Sequence, residues 1–104
     1  MAAVAERYPT LARAVALPVE GEKRRKVLAA IAAFADEGYE PSLREIAERA
    51  RLDGGWQKAE ALVRRLATDG LLRVEWATVR KGRRVVRVRS RNHYELILDS
   101  AGGR

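Results

Sequence analysis

Cysteine is absent from this chain, which excludes disulfides and thiolate metal sites. Histidine occurs once, as His93 in the basic stretch Arg91-Asn92-His93. No serine, cysteine or paired carboxylate stands beside it to form a proton relay, and one imidazole with scattered carboxylates is not a metal-ligand set. Neither GxxxxGK[ST] nor GxGxxG occurs, so no phosphate-cradling loop is expected. No apolar run approaches the roughly 18 residues of a membrane span. The first residues, MAAVAERYPTLARAVAL, place Glu6, Arg7 and Arg13 among short apolar patches instead of a basic start and an apolar block, so they are not read as a secretory signal. Repeats and low-complexity tracts are missing too. These absences argue against an enzyme, a cofactor, a metal or a membrane partner, and the expected location is the cytoplasm, at the nucleoid.

What is present is one domain's worth of chain: 104 residues, 47% hydrophobic and 34% charged, enough for one modest core. The formal net charge is +7, and its distribution matters more than its size. Residues 1–21 and 52–70 are balanced, and residues 22–51 carry +1. Residues 71–104 carry nine basic and three acidic groups. A segregated basic region of this kind favours a polyanion through phosphate contacts and counterion release.

The chain is organised around PSLREIAERARLDGGWQKAEALVRRLATDGLL, from Pro41 to Leu72. Leu43, Ile46, Ala47 and Ala50 recur at helical spacing, Ser42 and Glu45 have capping-box spacing, and Pro41 restricts the entry. Leu52-Asp53-Gly54-Gly55 breaks that helix. A second helix then places Ala59, Leu62, Val63 and Leu66 on one face. Gln57, Lys58, Glu60, Ala61, Arg64, Arg65 and Thr68 lie on the other, and Asp69-Gly70 stops it. Helix, short glycine turn and helix with a polar, basic outer face is the helix-turn-helix pattern, whose second helix lies in the DNA major groove.

EGYEPSLREIAERARL, a helix and then TDGLLRVE resemble the winged helix-turn-helix domain of LexA-type repressors and MarR-like regulators, over residues 22 to about 92. Gly38-Tyr39-Glu40-Pro41-Ser42, Arg44-Glu45-Ile46-Ala47 and Leu66 through Leu72 carry the likeness. It departs at Asp53-Gly54-Gly55-Trp56, where that family has a serine-rich start to its recognition helix. The resemblance implies an α+β fold, with a three-helix core, a two-stranded β wing and here an extra N-terminal helix.

The remaining segments fit around that unit. Val4, Tyr8, Leu11 and Val15 share one helical face, with the helix expected from Pro9 to about Ala16 and a hinge at Pro18 and Gly21. That stripe either packs on the chain's own core or forms a homodimer contact. Residues 22–36 read as an amphipathic helix through Val27, Leu28, Ile31, Phe34 and Ala35, with Lys23 to Lys26 crowding an N-terminus whose dipole disfavours them. The accessory segment is placed at residues 1–21, the winged unit at 22–99 and a frayed tail at 100–104.

After Gly70 the apolar period becomes two: Leu72, Val74 and Trp76, then Val86 and Val88. A three-residue loop, Lys81-Gly82-Arg83, is expected to pair Arg80 with Arg84, Thr78 with Val86, Trp76 with Val88 and Glu75 with Arg89. A two-residue loop is rejected because it splits the apolar face. Val74, Trp76, Val86 and Val88 are then the inner face, with Arg73, Arg80, Lys81, Arg83, Arg84, Arg87, Arg89 and Arg91 outside. YELIL reads as a further strand, a continuation of the second, or a short dimerising helix.

The candidate DNA-binding residues follow. Gln57 and Lys58 open the recognition helix, Ala61 and Arg64 lie a turn on, and Arg65 is beside them. Glutamine pairs with adenine, and lysine or arginine with guanine. Ser42 and Arg44 open the preceding helix, where backbone amides hold a phosphate. Arg80, Lys81, Arg83 and Arg84 form the wing tip. Trp56 either staples the helix start to the core, the preferred reading for a large aromatic, or packs on the sugar-phosphate backbone. The expected partner is double-stranded DNA and the expected role a transcriptional regulator, a repressor in the first instance. A protein-docking or RNA-binding winged helix is the alternative.

Overall fold

The computed structural model describes residues 6–98. Val4 and the tail from Ser100 to Arg104 lie outside the described residues. Among the described residues, the helices α1 (Pro9–Val15), α2 (Glu22–Asp36), α3 (Leu43–Ala50) and α4 (Gly55–Thr68) precede a set of short strands. These are β1 (Leu72–Glu75), β2 (Thr78–Lys81), β3 (Arg84–Arg87) and β4 (His93–Leu96). The α+β class is as expected. No helix among the described residues is long and apolar enough to cross a membrane.

α2 is the central helix. Val27, Leu28, Ala30, Ile31, Ala32 and Ala33 are all buried, whereas Phe34 is half-buried and Ala35 exposed. The expected single stripe, Phe34 and Ala35 included, is therefore corrected. α1 covers one side of α2, and α3 with α4 the other. Alanines permit that close two-sided approach, but a periodicity drawn through large residues does not register them. Leu28, Ile31, Ile46, Val63 and Leu66 fill the middle of the core.

α1 begins at Pro9, as its fixed φ favours, and has no capping side chain of its own. Asp36 at the end of α2 supplies one, accepting the Thr10 and Leu11 amides at 3.0 and 2.8 Å. Burial works against ionising Asp36, yet the bonds from Leu11 and Thr10 outweigh it and hold its pKa below the ordinary value. Tyr8 is not helical (φ −128°, ψ 64°), so the phase of any preceding helix is not carried into α1. The expected stripe is accordingly split. Leu11 packs against the core and Ala14 is buried. Tyr8 donates its hydroxyl to Glu37 at 2.7 Å, and Val15 is 64% exposed.

α3 has the expected capping box: the Glu45 amide donates to Ser42 Oγ at 3.1 Å and the Ser42 amide to Glu45 Oε1 at 2.8 Å. The helix ends at Ala50 because Arg51 turns left-handed (φ 56°) and the Leu52 amide reaches back to the Ala47 carbonyl at 3.0 Å. At Gly54 a side chain is excluded, since a Cβ there stands 2.7 Å from Lys58 Cβ.

The hairpin differs from expectation. β2 and β3 pair Thr78 with Arg87, Val79 with Val86, Arg80 with Val85 and Lys81 with Arg84. The loop is thus the two residues Gly82-Arg83. Gly82 has φ +64° and Arg83 does not share the positive φ, the signature of a type II′ turn with glycine first. β1 pairs instead with β4, Leu72 with Leu96 through Glu75 with His93. Two residues, Trp76 and Ala77, therefore face five, Val88 to Asn92, and this bulge resets the register between tip and base. No single register runs through the whole hairpin. Ala77 holds the bulge: its carbonyl accepts the Val88 and Arg89 amides at 2.7 and 3.2 Å, and its amide donates to Asn92 Oδ1 at 2.6 Å. YELIL contributes the further strand β4, and the Ile97 amide extends the ladder to Leu71. Val74, Trp76 and Val86 are half-buried, but Val88 is 48% exposed and leaves the expected inner face. Glu75 stands opposite His93 and still pairs with Arg89 across the bulge at 3.1 Å.

Candidate nucleic-acid interface

α4 buries Ala59, Val63 and Leu66 and leaves Gln57, Lys58, Ala61, Arg64, Arg65 and Thr68 exposed on the opposite face. The outward helix face is as the sequence pattern indicates, but its charges are not all free. Arg64 donates from Nε and Nη2 to Glu60 Oε2 at 3.1 and 2.8 Å, and its guanidinium lies 4.4 Å from the Trp76 ring centre. Arg65 reaches Asp69 at 3.6 Å, and Asp69 is also bound by Arg24 of α2. Of the basic residues on α4, only Lys58 makes no ion pair among the described residues.

Trp56 does not staple the helix start to the core. It is 43% exposed on the first turn of α4, so that preferred reading is corrected. Trp76 is the tryptophan packed against the core. Gly55 at the helix start is left-handed (φ +65°), and Ala59, not Trp56, is the first fully buried residue of α4.

Ser42 and Arg44 fare differently from each other. The capping box commits the amide of Ser42 to Glu45, whereas Ser42 Oγ only accepts from the Glu45 amide, which leaves the hydroxyl proton for a phosphate. Arg44 is exposed and unpaired among the described residues. Arg91 closes this corner: it reaches Glu45 at 2.9 Å and the Glu40 carbonyl at 3.1 Å, and lies 5.4 Å from the Tyr39 ring centre. The Tyr39 hydroxyl, the Ser42 amide and Arg91 together hold the Glu45 carboxyl at a pKa of about 2. Arg91 is thereby a brace between the bulge and α3 and not part of an outer basic face.

The wing tip gathers Arg80, Lys81, Arg83 and Arg84, all exposed. Opposed residues point the same way and successive residues alternate. The observed register hence sets Lys81 and Arg84 on the face of Val79 and Val86, and Arg80 and Arg87 on the other with Val85. The tip is basic on both sides, not on one outer face.

Electrostatically the molecule divides in two. In the body, Arg24, Lys26, Arg49, Arg64, Arg65, Arg73, Arg89 and Arg91 pair with carboxylates, and the cations unpaired among the described residues, Arg7, Arg13, Lys23, Arg25, Arg44, Arg51 and Lys58, are scattered over the helices and the turns between them. The bidentate Arg49–Glu37 pair, at 2.8 Å for both bonds, holds Glu37 at a pKa of about 2, with the Tyr8 hydroxyl helping. In the wing, Arg80, Lys81, Arg83, Arg84 and Arg87 form no ion pair among the described residues. Close cations without counter-charges raise the local positive potential.

Asn92 escaped sequence reasoning, as did the Arg64–Trp76 stack and the cross-strand Arg73–Glu95 pair at 2.9 Å. Asn92 also donates from Nδ2 to the hydroxyl of buried Tyr94 at 3.0 Å. Only the last of the three had a signal, in the charge alternation of residues 73–75 and 93–95. Comparison with family models, curated proteins and solved structures returns no match.

Proposed function

We propose that the chain is a winged helix-turn-helix protein that binds double-stranded DNA sequence-selectively and regulates transcription, as a repressor in the first instance. α4 enters the major groove, and the β2–β3 wing lies on an adjacent minor groove or on the backbone. The observation that carries this reading is the cluster of five wing cations, none of them ion-paired among the described residues, packed into the eight positions from Arg80 to Arg87. A cluster of unpaired cations beside an exposed polar helix suits a regular polyanion. The narrow two-residue tip, basic on both faces, suits insertion between two phosphate rows. Such a protein works at the nucleoid and needs no cofactor.

One observation favours a second reading. Trp56 and Val85, 43% and 62% exposed, are apolar groups of the kind a protein-docking surface presents. The test is anisotropy of a labelled random duplex at rising salt. Affinity should fall steeply and log-linearly, with a slope near −0.9 per phosphate contact. Absent or salt-insensitive binding would sink the DNA reading in favour of the docking one.

A further inference from the structure

Resting on that placement of α4 in the major groove, we infer that the bases under its mid-line are A·T pairs, read through the thymine methyl and the adenine edge and not through guanine. At about 100° per residue, Gln57, Ala61 and Thr68 lie within roughly 40° of one another at the centre of the exposed face. Guanine readout needs a guanidinium or ammonium aimed outward with its donors free. Neither arginine of α4 meets both conditions at the mid-line: Glu60 takes Nε and Nη2 of Arg64, and Arg65 keeps its donors but stands on a flank. Arg64 is drawn to the wing side by Glu60 and Trp76, and Arg65 to the opposite flank by Asp69. Lys58 lies on the Arg65 flank, its stem alongside the Gly54 backbone.

Thr68 donates its hydroxyl back to the Arg64 carbonyl at 3.0 Å, so what remains at the centre to meet a base edge is the Gln57 carboxamide and the Ala61 methyl. The Gln57 carboxamide has one donor edge and one acceptor edge, matching adenine N6 and N7. Ala61 has no hydrogen-bonding side chain, so the base-edge group it meets favourably is the C5 methyl of thymine. One helical turn separates the two, about 6 Å, which spans neighbouring base-pair steps. The wing extends the preference to the neighbouring pairs that it covers. A·T runs narrow the minor groove and deepen its negative potential, which suits the unpaired Arg83 at the tip.

The experiment starts from duplexes selected by the full chain out of random DNA. In the best of them, the thymines of the protected segment are replaced by deoxyuridine, which removes the methyl and leaves base pairing intact. Affinity should fall about fourfold for each contacted methyl. Ala61→Gly should bind the thymine duplex no better than wild type binds the uridine duplex, and should no longer distinguish the two. Ala61→Ser, which disturbs the helix less, should lose the same discrimination, with circular dichroism reporting the fold of both variants. A selected G·C core, or equal affinity for thymine and uridine duplexes, overturns the inference while leaving the DNA-binding function standing. Absence of salt-dependent binding to any duplex overturns both.

Discussion

The guanidinium of Arg64 lies 4.4 Å from the centre of the Trp76 ring while two of its nitrogens bond Glu60. α4 and the base of the wing are thereby joined through a residue whose sequence position suggested base readout. We predict that Arg64→Ala lowers stability by about 1 kcal/mol, the sum of an exposed ion pair and a cation–π contact. It should weaken preferred and random duplexes alike, because the wing shifts against the helix. Gln57→Ala, in contrast, should lose roughly 1–3 kcal/mol on the preferred site and little on random DNA. Thermal melts and anisotropy on both duplexes check this. A loss from Arg64→Ala confined to the preferred site would return its guanidinium to a base edge.

The wing is expected to act without regard to sequence. Replacing Arg83 and Arg84 with alanine should weaken all duplexes similarly and reduce the log–log salt slope by about 1.8, if each holds one phosphate. Neither residue has an internal partner to lose, so the melting temperature should stay within the scatter of a surface change. An unchanged slope removes the wing from the interface.

These two cases show where the sequence was legible. The helices, their order, the Ser42–Glu45 capping box and the outward face of α4 follow from local periodicity and capping chemistry, which act within a turn or two of chain. The register did not. Gly82-Arg83 favours a type II′ turn locally, and the apolar alternation disfavours it; a five-residue bulge reconciles them by letting β1 and β4 keep one register and β2 and β3 another. Asn92, fifteen residues from Ala77, supplies the bond that makes the bulge tolerable. Which arginines are free is likewise tertiary information. Arg91 and Arg83 look alike in sequence, yet one meets Glu45 and the other no acid among the described residues.

Asn92 offers a direct test of that account. Asn92→Ala leaves the part-buried Ala77 amide without its acceptor, a loss of about 1–3 kcal/mol. Asn92→Asp keeps an acceptor for Ala77 and loses the donor to Tyr94, so a smaller loss is expected. Hydrogen exchange should show the Val88 and Arg89 amides opening faster in the alanine variant, with α2 and α3 unchanged. Equal protection in wild type and Asn92→Ala would mean the bulge is held by its backbone bonds alone.

Acid should loosen the molecule at two corners together. Glu37 is held at a pKa of about 2 by Arg49 and then Tyr8, and Glu45 at about 2 by Tyr39, the Ser42 amide and Arg91, against an ordinary value of 4.5. A depressed carboxylate pKa contributes stability that is fully present above 4.5 and lost as pH falls toward 2. The melting temperature should therefore decline across that window and be flat just above it. Both carboxylates are near the surface, so the decline should be shallow and salt-sensitive. Glu37→Gln combined with Glu45→Gln should make the profile shallower, with Asp36, also held below its ordinary value, supplying what remains; a profile as steep as wild type would place the acid response elsewhere.

The two-fold question turns on α1. Leu11 packs against the chain's own core and its amide is held by Asp36, so Leu11→Asp should lower the melting temperature whether or not two chains associate. Val15 is the residue of the α1 stripe that the fold leaves exposed, at 64%, beside a surface depression of 390 Å³ formed with Ala14, Leu28 and Ala29 and edged by Glu22, Arg25 and Lys26. A homodimer through this flank predicts that Val15→Asp keeps the wild-type melting temperature and halves the sedimenting mass, because a charge is then buried only at the contact. Selected sites should then be palindromic, with half-sites about 34–36 Å apart or a multiple of that. Wild-type protein that already sediments as a monomer at micromolar concentration, with Val15→Asp unchanged in every respect, removes the α1 dimer. The DNA itself would then have to bring any two copies together. The distinction bears on selectivity, since one small domain contacts few base pairs and a pair roughly doubles the base-specific free energy that sets a site apart from competing sequence.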